Sequence, residues 1–176
     1  MTKYFSTRSE EISKMEIEHE ETVRKLAGQC MVLLENDGTL PIIGTKGNLA
    51  LYGSGARRTV KGGTGSGDVN SRHVINIEQG LEAAGYKITT KEWLDEYDKL
   101  VEKKHNEYMA ELEAMSKEKG TPVFILTFDN PFKEPHSQPI TENDIKNSKT
   151  STAIYVIARN SGEGADRKGC SIRETF

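Results

Sequence analysis

The stretch AIYVIARNSGEGADRK, Ala153 to Lys168, decides how this chain is read. Ile154, Tyr155, Val156 and Ile157 form a short apolar, β-branched run, the pattern of a strand buried on both faces of a parallel sheet. After Arg159 and Asn160 the composition turns to glycine and charge, SGEGADR. In open α/β sheets ligands sit outside the carboxyl ends of the strands, on the loops that leave them. A buried strand that delivers a carboxylate onto such a loop marks Glu163, between Gly162 and Gly164, as the first candidate functional residue.

Outward from this strand, the pattern alternates. Asn48 to Tyr52 (NLALY) is a first strand and runs directly into GSGARRTVKGGTGSGDVN. Gly53 and Gly55 have the first spacing of a dinucleotide fingerprint, but Arg58 stands in the place of the third glycine and no helix follows at once. A nucleotide-binding turn is therefore the weakest of the readings. The second turn, Gly62 to Gly67, is denser in glycine than a hairpin requires, and glycine lets a ligand approach backbone N–H groups closely. Val74, Ile77, Leu81 and Ala84 mark a helix closed by Gly85. Tyr86 to Thr90 (YKITT) reads as a second strand.

Residues 92–118 form a long polar helix, with Trp93, Leu94, Tyr97, Leu100, Val101, Tyr108, Leu112 and Met115 as its buried face. Gly120 ends it, and Pro122 to Phe128 (PVFILTF) reads as a third buried strand. Thr141 caps a short helix to Lys149. Upstream, residues 8–34 read as a helix capped by Ser9, with Val23, Leu26, Ala27, Cys30, Met31 and Leu34 on one apolar face and Cys30 as a core thiol. Asn36 to Pro41 (NDGTLP) is a turn. The alternation predicts an α/β fold: a three-layer sandwich with a mostly parallel sheet flanked by helices. The loops 62–67 and 161–164 then leave the same sheet edge, which is the physical argument for a ligand site there.

Composition narrows the possibilities. A length of 176 residues fits one domain, and 35% hydrophobic with 29% charged residues describes a wet surface. Net charge is −3, which leaves no electrostatic footprint for nucleic acid. Cys30 and Cys170 imply neither a disulfide framework nor a zinc site, and the four histidines have no ligand spacing. No run reaches the ~18 apolar residues of a membrane span, and residues 1–21 lack the apolar core of a secretory signal. The expectation is a cytoplasmic protein with no nucleic-acid or membrane partner, no metal and no cofactor.

Three motifs in order, LLENDGTLPI (Leu33–Ile42), GGTGSGDVN (Gly62–Asn70) and IARNSGEGADR (Ile157–Arg167), resemble the α/β sandwich domain of glycoside hydrolase family 3. The sandwich motifs begin close to Met1, which is similar to the subgroup with inverted domain order, many of them β-glucosidases. The resemblance implies residues 1–32 as a helical lead-in packed on the domain and 33–176 as the first part of the sandwich. It also implies a catalytic TIM-barrel domain that lies outside the chain.

The resemblance assigns roles as well. Glu163 matches the general acid/base of many family β-glucosidases. Ser66, with Gly65 and Gly67, matches the loop that reaches over the sugar. The nucleophilic Asp belongs to the barrel, and no residue here matches it. Arg159, Asp166 and Arg167 are read as supports of the Glu163 loop. The implied partners are a β-linked oligosaccharide or glucoside and the TIM-barrel domain of the same parent protein. The implied function is one half of a retaining glycosidase, inactive alone. The alternative is a non-catalytic α/β module that binds a carbohydrate or a partner domain.

Overall fold

A computed structural model of the chain describes residues 9–42, 47–62, 69 and 71–160. It divides into two compact units, Met1–Gly44 and Thr45–Phe176.

In the first unit, helix α1 spans Lys14–Ala27 and is followed by a 3-10 turn, Gly28–Cys30. Its cap is Ser13 rather than Ser9. The Ser13 hydroxyl accepts from Glu16 N at 3.2 Å, and the Glu16 carboxylate accepts from Ser13 N at 2.8 Å, a reciprocal capping box. Ser9 instead accepts from Glu11 N at 3.0 Å. The expected helix over 8–34 is thus shortened at both ends. Gly28, a poor helix former, sits where the α-helix stops. No residue of α1 is buried, and Cys30 is an exposed free thiol, not a core one. The NDGTLP turn is held by Asn36, whose Oδ1 accepts from Gly38 N at 3.1 Å and Leu40 N at 3.0 Å. Hydrogen bonds from Thr39 to Asp37 hold that carboxyl below its usual value.

The second unit is built on a parallel three-stranded sheet flanked by helices. Strand β1 (Asn48–Tyr52) lies between β2 (Lys87–Ile88) and β3 (Ala153–Tyr155), in the order β2-β1-β3. Leu49 pairs with Ile88 on one side, and Leu51 with Ile154 on the other. The central position makes β1 the driest element, and Leu49 and Leu51 are among the four largest side chains that are fully enclosed. Burying each leucine contributes about 1.5–3 kcal/mol.

Between the strands come α2 (Ile77–Ala83), α3 (Lys91–Lys119), α4 (Val123–Asp129) and α5 (Glu142–Ser148). Asn76 caps α2 and Thr141 caps α5, each with a full capping box, and Gly85 follows α2 with φ +95°. Thr90, at the start of α3, gives its hydroxyl no capping role. That hydroxyl donates to Leu51 O at 2.7 Å and accepts from Leu51 N at 2.8 Å. It satisfies both backbone groups of β1 just past the point where β2 ends. Of the expected inner face of α3, Trp93, Leu94, Tyr97, Val101 and Leu112 are buried, whereas Leu100, Tyr108 and Met115 are half-buried.

One expected strand is a helix. PVFILTF forms α4, opened by Pro122 and closed by Asn130, whose backbone and side-chain N–H groups both donate to Leu126 O. Only Leu126 is buried, while Phe124 and Phe128 are 69% and 70% exposed and meet edge to face at 5.0 Å. The β-branched run suggested a strand, but the segment pairs with none of β1, β2 and β3 and packs as a helix against α3. A short apolar run cannot be assigned by periodicity alone, and here tertiary pairing decides.

Two tyrosines tie β1 and α3 to later parts of the chain. Tyr52 stacks edge to face on Trp93 at 5.3 Å and donates to Asp144 O at 3.2 Å. Tyr97 donates to Pro135 O at 3.0 Å. Burial pushes the pKa of both phenols up from 10.0. A raised phenol pKa means the folded state holds its proton more tightly than the unfolded chain. The contribution of these two phenols to stability should therefore be full below about pH 10 and be lost as pH rises through their folded values. In alkaline urea titrations of the chain, Tyr52→Phe and Tyr97→Phe should each flatten that decline; an unchanged slope in both would refute the coupling.

Gly53 has φ +93°, and a Cβ there would press on the backbone of Val156, with Val156 N at 2.9 Å. Gly120 has φ +65° but open space around it. Gly120→Ala should cost about 1 kcal/mol of backbone strain, and Gly53→Ala at least about 3 kcal/mol, because strain and a backbone clash combine. Equal losses in urea unfolding would show that φ alone demands glycine at 53.

Candidate functional site

The carboxyl ends of β1 and β3 form one edge because the strands are adjacent and parallel. Beyond the strands their extensions stay together: Val156 N donates to Tyr52 O at 2.9 Å, and Gly55 N donates to Val156 O at 3.1 Å. Gly55 abuts the Val156 side chain and Ala158, where an added Cβ would lie 2.7 Å from Val156 Cγ1 and 3.1 Å from Ala158 Cβ. The Gly53–Gly55 spacing, reminiscent of a nucleotide turn, is thus accounted for by chain-to-chain packing. It lets the stems of the two glycine-rich loops run side by side.

The stem of the first loop is pinned further. Thr59 donates its hydroxyl to Gly55 O at 2.9 Å and accepts from Ile77 N at 3.2 Å, which ties the stem to the start of α2. Lys61 Nζ donates to Val69 O and to Ser71 Oγ, at 2.9 Å for the latter, and so bridges the two flanks of the glycine-rich turn. Of the candidate residues, Arg159 lies on the β3 extension and is exposed, with no ion pair to another described residue. Gly65, Ser66, Gly67, Glu163, Asp166 and Arg167 lie outside the described residues, as does Asp68.

The electrostatic centre of the described edge is Arg57, which sequence reasoning passed over. Its Nε donates to Glu78 Oε2 at 2.5 Å and its Nη2 to Glu78 Oε1 at 3.2 Å, a bidentate clasp. Nη1 reaches Asp95 at 2.6 Å and Asp98 at 2.8 Å. One guanidinium thereby joins the β1 stem to α2 and to the first turns of α3. The hydrogen bond with Glu78, outweighing burial, and those with Asp98 and Asp95 hold the Arg57 proton more firmly than in free arginine. Lys91 supports the cluster, 2.6 Å from Glu82 and 3.8 Å from Glu78. Arg58, the residue that broke the dinucleotide spacing, bonds Glu134 at 3.2 Å on the connection before α5. The available signal was Glu78 beside the apolar Ile77 on a helix following a dibasic turn: a carboxylate facing inward needs a cation.

Glu78 is 7% exposed, so removing its partner leaves a buried charge. Arg57→Met should cost about 3 kcal/mol, and adding Glu78→Leu should restore at least about 1 kcal/mol, a non-additivity that a double-mutant cycle on urea unfolding would read. Strict additivity would mean that the clasp carries no coupling.

No group of three or more His, Cys, Asp or Glu among the described residues is arranged to hold a metal ion. No helix among them is long and apolar enough to cross a membrane.

Comparisons with known proteins converge on one family. The profile of the Glycosyl hydrolase family 3 C-terminal domain matches residues 31–175. Beta-glucosidase A of Butyrivibrio fibrisolvens is 33% identical over 156 residues, covering 85% of this chain and 16% of that protein. The chain thus spans about a sixth of the curated relative it matches. No solved structure matches. The α/β architecture fits the matched domain, and the chain belongs to glycosyl hydrolase family 3 through that C-terminal domain.

Proposed function

We propose that this chain is part of a retaining β-glucosidase-like hydrolase of inverted domain order and supplies Glu163 as its general acid/base. The observation that carries the proposal is the paired stems: β1 and β3 run parallel, and Gly53 and Gly55 let Val156 and Ala158 pack against the first stem. The segments that lead toward both glycine-rich loops are therefore paired at one edge, which supports a sugar site built from SGEG and GGTGSG. The family membership and the relative named a β-glucosidase support the substrate class, a β-linked glucoside or oligosaccharide.

The mechanism follows from what two carboxylates must do. One protonates the departing glycosidic oxygen while a second, about 5–5.5 Å away, attacks the anomeric carbon to give a glycosyl-enzyme. Water then releases the sugar, with the first carboxylate taking its proton, so configuration is retained. In this assignment Glu163 is the proton donor and Ser66, with Gly65 and Gly67, contacts the sugar. Arg159, Asp166 and Arg167 hold the Glu163 loop. The attacking carboxylate comes from a TIM-barrel domain of the parent protein, and no metal or organic cofactor enters either step. The 176-residue chain alone then holds half of the pair and is inactive.

The test uses the parent protein. Glu163→Gln should lower kcat/KM about 10²–10⁴-fold for an alkyl β-glucoside, whose leaving group needs a proton. A dinitrophenyl β-glucoside, whose leaving group needs none, should lose far less in its first step. Equal losses on both substrates would assign Glu163 some other role. Hydrolysis by the isolated chain that disappears in Glu163→Gln would overturn the division of the carboxylate pair between domains.

A further inference from the structure

Between Asn130 and Thr141 the chain runs from α4 to α5 without regular structure, and it is tied to α3 in antiparallel order. Tyr108 donates to Asn130 O at 2.8 Å, Tyr97 donates to Pro135 O at 3.0 Å, and Gln138 Nε2 donates to Trp93 O at 2.7 Å. The last tie leaves two atoms over. Trp93 Nε1 and Gln138 Oε1 are enclosed, and neither has a hydrogen-bond partner among the described residues. We propose that one internal water molecule bridges them, accepting from the Trp93 indole N–H and donating to the Gln138 carboxamide oxygen.

Three observations carry the bridge. The two atoms are complementary: an indole nitrogen only donates, and a carboxamide oxygen only accepts. They also belong together, because Gln138 Oε1 shares its carbon with the Nε2 that bonds Trp93. Neither is free to turn away. Tyr52 stacks edge to face on Trp93 with ring centroids 5.3 Å apart, and Trp93 is only 4% exposed, which fixes the indole and shuts its N–H from surface solvent. Turning the Gln138 amide over would set its oxygen against Trp93 O, exchanging a hydrogen bond for the repulsion of two acceptors.

The nature of the ligand follows from the same atoms. Both orphans are neutral, so an ion enclosed between them would lack a counter-charge. Buried polar atoms are nearly always paired, and a water with two protein partners meets the minimum for an internal site. A contact bridged in this way holds nearly as well as a direct one. The water completes the tie nearest α5, where Ser137 Oγ also lies 3.3 Å from the Tyr155 hydroxyl of β3. Adjacent residues of the connection are thereby fastened to α3 and to the sheet.

Trp93 is the one tryptophan of the chain, so its indole N–H gives a unique NMR signal. In rotating-frame Overhauser spectra of the 176-residue chain, that proton should show a dipolar cross-peak to a long-lived water, opposite in sign to chemical exchange. Tyr52→Phe, which removes the hydroxyl of the stacked ring, should keep the cross-peak. Gln138→Met, which has no carboxamide, should abolish it and lower the folding equilibrium constant about tenfold in urea unfolding. No cross-peak in the unchanged chain, its persistence in Gln138→Met, or its loss in Tyr52→Phe would overturn the proposal. Should Gln138→Met not fold, a crystal structure of the unchanged chain decides. Water density within hydrogen-bond reach of both atoms supports the bridge, and a direct Trp93–Gln138 side-chain bond or a dry gap overturns it.

Discussion

The backbone of Val156 lies so close to Gly53 that no side chain fits between them. That approach holds the β1 and β3 extensions together past the last strand residues, through the Val156 N to Tyr52 O and Gly55 N to Val156 O bonds. A three-residue strand such as β3 is too short to hold a loop rigidly by itself. By lengthening the pairing beyond the strand, the glycines turn a weak edge into a firm stem. Everything proposed for the site depends on that stem, since a loop is only as well placed as its root.

Arg57 performs the complementary task on the other side of the same turn. Glycine permits the chain to pass under β3, but it adds no directional interaction and carries a large conformational freedom in the unfolded state. The bidentate clasp on Glu78 and the bonds to Asp95 and Asp98 supply direction. Burying the carboxylate of Glu78 is costly, so a buried pair of this kind is weak evidence of net stability. Its geometric content is stronger, because a planar guanidinium with three acidic partners leaves the turn few alternative positions.

Several elements were legible from residues alone. β1 coincides with NLALY, and the capping role of Thr141 and the C′ position of Gly85 followed from local side-chain and backbone chemistry. Such features depend on neighbours in sequence. PVFILTF was misread because its strand-like composition is local while its packing as a helix against α3 is not. The α1 boundaries moved because two serines competed for the cap, and only Ser13 has a glutamate three residues on. The site divides the same way. The loop motifs were visible as motifs, but the purpose of Gly53 and Gly55 was not, because Val156 and Ala158 lie a hundred residues away in the chain. Arg57 escaped for the same reason: its partners come from two later helices.

A rigid stem carrying a glycine-flanked carboxylate suits a site completed by another domain. A general acid must keep its proton near working pH, which requires burial or a neighbouring negative charge. A small glycine-flanked loop offers little of either by itself. A carboxylate shared between domains meets that need, since the approaching surface supplies both the burial and the second carboxylate when the sugar is enclosed. The two groups must then meet within the narrow separation that nucleophilic attack allows, about 5–5.5 Å. Placement errors at the root of a loop grow toward its tip, so tolerance at the carboxylate demands a tighter tolerance at the stem. On the proposed assignment, that is the reason the chain packs backbone against backbone at Gly53 rather than side chain against side chain.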